Sequence, residues 1–147
     1  MKPLRTIRVL IVDDNNIVQS TLKMVLERKQ KFRIVAQASD GQQAIKLYQQ
    51  HQPDIVLTDI IMDKLTGIEM CQQIIQIAPL ARVILLSGLI LQDSMISLAL
   101  KAGISGYLLK DLSMKELEDY LIACYQGEKV FHPHIQKILE NKFPAKN

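Results

Sequence analysis

Five short apolar runs, Ile7 to Val12, Phe32 to Ala38, Ile55 to Thr58, Val83 to Leu86 and Gly106 to Leu109, alternate with segments whose apolar residues recur at helical spacing. Runs of this length are strands, and a strand that reaches a parallel neighbour through a helix does so by a right-handed crossover. Five such units predict an α/β domain: an open, doubly wound, five-stranded parallel sheet of order 2-1-3-4-5 with helices on both faces. The first, third and fourth runs are apolar on both faces, as central strands must be. The second admits Arg33 and Gln37 and is predicted at an edge.

The intervening segments carry core-facing stripes: Val18, Leu22, Val25 and Leu26; Ala44, Ile45 and Tyr48; Cys71, Ile74, Ile75 and Ala78; Met95, Leu98, Ala99 and Ala102; Leu117, Leu121 and Cys124. Thr66 with Glu69 and Ser113 with Glu116 have the spacing of capping boxes, and Gly103 can end the fourth helix in the left-handed conformation. The units fill residues 1–127. Residues 128–147 form a C-terminal extension, in which His132 to Glu140 is predicted as a short extra helix with Pro133 in its first turn.

A chain of 147 residues, 48% hydrophobic and 22% charged, suits one folded domain with its own core. The apolar stretch Val9 to Val12 is too short for a signal-peptide core, and no run approaches the roughly 18 residues of a membrane span. A cytoplasmic protein is expected, with Cys71 and Cys124 as free thiols rather than a disulfide. The net charge of +3 gathers partly at Lys2, Arg5 and Arg8 and at Arg28, Lys29, Lys31 and Arg33. Only Phe32 interleaves these charges, so a solvated surface is favoured over nucleic-acid binding.

The strand ends carry the chemistry. Asp13 and Asp14 follow the first run, Asp59 the third and Lys110 the fifth. Neighbouring strands lie about 4.8 Å apart, so these residues share one rim at the switch point between strands one and three, with Lys110 about 10 Å across it on a long stem. Taken singly, each Asp reads as a helix cap or a solvated loop residue. Together, two like charges about 4 Å apart cost roughly 4 kcal/mol at an effective dielectric near 20, and a hard divalent cation such as Mg²⁺ relieves that cost. Neither His nor Cys stands at zinc-ligand spacing. A carboxylate, a hard cation and a lysine around one space suit a phosphoryl group, with Asp59 as nucleophile and Ser87, after the fourth run, hydrogen-bonding the phosphoaspartate.

With these residues in place, Ile7 to Gly127 resembles the receiver domain of bacterial two-component response regulators, a flavodoxin-like (CheY-like) fold. Leu86-Ser87-Gly88 and Lys101 to Asp111 are most similar to the NarL/FixJ (LuxR-type) subfamily. The resemblance implies that Asp59 accepts phosphate from a sensor histidine kinase or phosphotransfer protein, and that Asp13, Asp14, Asp59 and the Ile61 backbone carbonyl hold Mg²⁺. It implies that Lys110 contacts the phosphoryl group, that Ser87 and Tyr107 switch on phosphorylation, and that the domain catalyses only its own phosphorylation and dephosphorylation. In that subfamily a receiver usually precedes a helix-turn-helix domain that binds DNA.

Two positions depart from the common pattern. Asp63 stands where many receivers have proline four residues after the phosphoacceptor, and a solvent-facing side chain is expected there. Asp111 stands where many have a proline in a cis peptide, which leaves the isomer of the Lys110–Asp111 bond open. Leu89-Ile90-Leu91 reads equally as a docking patch or as core under the fourth helix. His51, His132 and His134 do not form a metal site on spacing, and the last two decorate a helix start.

The leading expectation is a phosphorylatable signalling switch that ends without an output domain, acting through protein contacts, including a homodimer, or as a phosphate carrier. The alternative is the receiver part of a DNA-binding transcriptional regulator. An aspartate-nucleophile phosphatase would want an acid-base Asp two residues after the nucleophile, where Ile61 stands. A flavodoxin-like FMN binder lacks its phosphate cradle, since the first βα turn is Asp13-Asp14-Asn15-Asn16.

Overall fold

The computed structural model describes residues 5–62 and 65–143. Its elements are β1 (Ile7–Val12), α1 (Asn16–Glu27), β2 (Phe32–Ala38), α2 (Gly41–His51), β3 (Ile55–Thr58) and α3 (Gly67–Ile77). They continue as β4 (Val83–Ser87), α4 (Asp93–Ala102), β5 (Gly106–Leu109), α5 (Met114–Tyr125), β6 (Val130–Phe131) and α6 (Pro133–Lys142).

The strands form one sheet of order β2-β1-β3-β4-β5-β6, every neighbouring pair parallel. The expected α/β architecture, the order of the first five strands and β2 at an edge all hold. The count of five strands does not, because Val130 and Phe131 pair with Gly106 and Tyr107 and add a sixth. A strand of two residues has no periodicity to read. Its place is set by backbone hydrogen bonds, Val130 N–H to Ser105 O at 2.9 Å and His132 N–H to Tyr107 O at 2.9 Å.

The central strands are buried on both faces, each fully buried Leu, Ile or Val contributing about 1.5–3 kcal/mol relative to exposure. On one face Val9, Ile11, Leu57, Ile84 and Leu108 pack with Leu22 and Leu26 of α1 and Leu117 and Leu121 of α5. On the other, Leu10, Val56, Leu85 and Tyr107 pack with residues of α2, α3, α4 and α6. Cys71 belongs to the second layer and Cys124 to the first, and both thiols are free. Burial pushes them up to about 12 and about 11.

Both capping boxes form, and Gly103 ends α4 at φ 91°. Leu98 is corrected: its side chain is 45% exposed. The buried stripe of α4 runs through Ile96, Ala99 and Ala102, and Leu98 lies one residue out of phase with it. Among the described residues no helix is long and apolar enough to cross a membrane.

Candidate functional site

The carboxyl ends of β1, β3 and β5 bring the acidic residues and the lysine together. Asp13, directly after β1, is buried; its backbone N–H donates to Ala38 O at 3.0 Å, and one carboxylate oxygen accepts from Asn15 N–H at 2.8 Å. Asp14 is exposed beside it. Asp59, directly after β3, is fastened by its N–H to Val12 O at 2.8 Å, and its Oδ1 accepts from Ile60 N–H at 2.8 Å. Asp13, Asp14 and Asp59 each offer an oxygen within 4.8 Å of the others.

Lys110 spans the rim as its position after β5 requires. Its backbone N–H donates to Ser87 O at 2.8 Å, and its Nζ lies 3.3 Å from Asp13 Oδ2 and 3.7 Å from Asp59 Oδ2. One ammonium thus faces two carboxylates, leaving a net negative pocket. Burial raises the Asp59 pKa; the Ile60 N–H and Lys110 oppose this, while Asp13 and Asp14 add to it.

The backbone around Asp59 is tightly drawn. Gly67 N–H donates to Ile60 O at 2.7 Å, and a Cβ on Gly67 would stand 2.3 Å from Asp59 O. Only glycine lets the start of α3 come this close. The Thr58 hydroxyl donates to Asp59 O at 2.8 Å from the buried side.

Ser87 ends β4, and its hydroxyl oxygen accepts from Leu89 N–H at 3.1 Å. Tyr107 is fully buried in β5; its hydroxyl donates to Leu89 O at 2.8 Å and accepts from Leu91 N–H at 3.0 Å. Because β6 lies outside β5, Tyr107 sits on an inner strand of the sheet. Both side chains hold the β4–α4 loop, whose Leu89 and Ile90 are 63% and 47% exposed while Leu91 packs on the core. Ile61 lies in the loop after Asp59 with its side chain exposed. Asp63 lies outside the described residues. No peptide bond among the described residues is cis, the Lys110–Asp111 bond included.

Sequence reasoning missed three supports. Asn15 caps α1, its Oδ1 accepting from Ile17 and Val18 N–H. Gln19, a buried amide on α1, donates to Asp13 O and to Ala38 O, tying the β1–α1 turn to the end of β2. Its signal was a polar residue beside the stripe position Val18. His132 is buried too and contacts Asp111, a link between residues 21 apart that no local pattern announces.

A doubly wound sheet with three carboxylates at its switch point and a lysine reaching them from two strands away defines an acidic-pocket α/β domain. Residues 9–122 match the response regulator receiver domain, and the chain belongs to that family. It is 33% identical over 129 residues to the transcriptional regulatory protein DegU of Brevibacillus brevis, covering 88% of this chain and 54% of that protein. To the response regulator protein VraR of Staphylococcus aureus (strain NCTC 8325 / PS 47) it is 32% identical over 137 residues, covering 93% and 65%. Its fold superposes with a TM-score of 0.87 on a LuxR-family two-component response regulator from Aurantimonas sp. SI85-9A1, at 29% identity, covering 96% of this chain and all of that one. The chain therefore spans about half to two-thirds of the length of these curated relatives.

Proposed function

We propose that this receiver domain accepts a phosphoryl group on Asp59 from a histidine kinase or phosphotransfer protein and relays the change through the β4–α4 loop and β5. The observation that carries this reading is the convergence of Asp59, Asp13, Asp14 and Lys110 at one rim. The donor set fits Mg²⁺: three hard carboxylate oxygens lie within reach of one another, and membership of the receiver family adds the Ile61 carbonyl as a fourth protein ligand. When bound, Mg²⁺ neutralises phosphoryl oxygens as charge builds on them.

The chain's own residues do the rest. Ile60 N–H fixes one oxygen of Asp59 and so orients the carboxylate for in-line attack on phosphorus. An O–P bond forms to Asp59 as the P–N bond of a phosphohistidine donor breaks, the electron pair leaving with the imidazole, which takes a proton. Lys110 already faces Asp59 and holds the transferred group electrostatically. Phosphorylation replaces one carboxylate charge by roughly two and adds acceptor oxygens, giving the Ser87 hydroxyl a partner other than Leu89 N–H. Release of Leu89 is transmitted to Tyr107, whose hydroxyl holds the same residue's carbonyl. The domain catalyses only its own phosphorylation and dephosphorylation.

The length of the relatives, one named a transcriptional regulatory protein, favours a second reading of the output: the receiver part of a LuxR-type regulator that acts on DNA. The mass of the protein in its native cells separates this from an output through protein contacts alone. The phosphoacceptor reading is tested by incubating the chain with acetyl phosphate and Mg²⁺ and then adding hydroxylamine. A phosphoryl mass gain that hydroxylamine removes is expected for an acyl phosphate. A phosphoryl mass gain that survives is not an acyl phosphate and contradicts Asp59 as acceptor.

A further inference from the structure

The C-terminal segment touches the pocket's surroundings at a point that phosphoryl transfer does not use. His132, at the junction of β6 and α6, is 7% exposed in its side chain, and its Nε2 lies 2.9 Å from Oδ1 of Asp111, which is 65% exposed. The ring's other nitrogen, Nδ1, accepts from His134 N–H at 3.1 Å. A neutral imidazole that accepts at Nδ1 carries its proton on Nε2, so it donates to the Asp111 carboxylate. The backbone N–H of His132 donates to Tyr107 O at 2.9 Å. One residue therefore grips both ends of the segment Tyr107 to Asp111, and Lys110 lies within it.

α6 also reaches the loop on the other side of the pocket. Ile135, Ile138, Leu139 and Phe143 join the layer that contains Leu91, Met95 and Tyr107, and Lys142 Nζ pairs with Asp93 at the start of α4 at 2.9 Å. The helix is thus seated on the loop that follows Ser87 and on the strand that leads to Lys110, whose Nζ lies 3.7 Å from Asp59. Asp111 follows Lys110 by one peptide, about 3.8 Å between Cα atoms, so a change in the pull on the lysine is felt at Asp111.

We propose that the His132–Asp111 hydrogen bond is a latch that couples the docking of α6 to the phosphorylation state of the acidic pocket. The inference rests on Asp59 as phosphoacceptor. New charge on Asp59 redraws the contacts of Lys110, which now divides itself between Asp13 and Asp59, and shifts Asp111 relative to His132. Coupling is reciprocal: a state of the pocket that loosens α6 is itself favoured when α6 is loose.

Hydrogen exchange of the amides of α6, measured on the intact chain with and without acetyl phosphate and Mg²⁺ at a matched extent of phosphorylation by intact mass, tests the latch. In wild type, phosphorylation is expected to change protection of α6 by about fivefold or more. Asp111→Ala should abolish that change, and Asp111→Asn, whose amide oxygen still accepts from His132, should retain it. Lys142→Met should loosen α6 equally in both states, the signature of a tie that is structural only. A full wild-type response in Asp111→Ala, or unchanged protection in wild type carrying the phosphoryl mass, overturns the latch while leaving Asp59 as phosphoacceptor. Absence of any mass gain in wild type overturns the phosphoacceptor reading and the latch with it.

Discussion

The Lys110 ammonium stands 3.7 Å from Asp59 Oδ2 although the two residues are 51 positions apart and their strands are separated by β4. The same ammonium is 3.3 Å from Asp13, so it is the counter-charge the pocket itself supplies. Lys110→Ala should slow phosphorylation by acetyl phosphate by roughly tenfold or more, about 1.4 kcal/mol of lost transition-state stabilisation. Initial rates by intact mass check this, and Lys110→Arg should recover part of the rate through its retained charge.

Burial raises the Asp59 pKa in the folded chain, and this sets a pH dependence. Folding then favours the protonated form, so the stabilising contribution is fully present below the unfolded pKa and is lost as pH rises through the folded one. In metal-free protein at neutral pH, Asp59→Asn should therefore be more stable than wild type by about 1 kcal/mol, roughly 2–4 °C in Tm for a domain of this size. At acid pH the advantage should vanish. Mg²⁺ should raise the Tm of wild type more than that of Asp59→Asn, since ligand binding to the folded state alone stabilises it. Thermal melts across pH, with Mg²⁺ or a chelator, give all three comparisons.

The Tyr107 hydroxyl is bonded on both sides, to Leu89 O and Leu91 N–H, in a buried setting. Tyr107→Phe keeps the ring and orphans both backbone groups, costing about 1–3 kcal/mol. Denaturant unfolding should show the loss, and amide exchange should rise at Leu91. Tyr107→Ala should also remove the phosphorylation-dependent difference in partner binding; binding that responds to phosphorylation as in wild type would dismiss Tyr107 as a switch.

At Gly67 an added methyl meets Asp59 O at 2.3 Å, backbone that cannot swing aside. Gly67→Ala should cost about 1–3 kcal/mol by overpacking. Because the clash falls on the residue that carries the carboxylate, phosphorylation should slow as well. Gly88→Ala, where nothing lies within 4 Å, is the matched control and should leave stability nearly unchanged.

Much of this architecture was legible because the signals were local. Apolar runs bounded by turn residues gave β1, β2, β3 and β5 with the bounds observed, and side chains three residues apart announced both capping boxes. The acidic rim followed from position alone, since a residue just past a parallel strand has its place fixed by the strand order. What escaped depends on partners far along the chain. β6 exists because two residues find the free edge of β5, and His132 is buried because Asp111 and Tyr107 meet it there. Leu98 misled because a short helix at the margin of the core tolerates a one-residue error in phase, which only packing corrects.

Intact-mass spectrometry after treatment with acetyl phosphate and Mg²⁺, comparing wild type with Asp59→Asn, tests the central claim most directly. The account predicts a gain of one phosphoryl group in wild type, absent in the variant and absent from wild type when a chelator replaces Mg²⁺. A gain that persists in Asp59→Asn, or none in wild type, would contradict it.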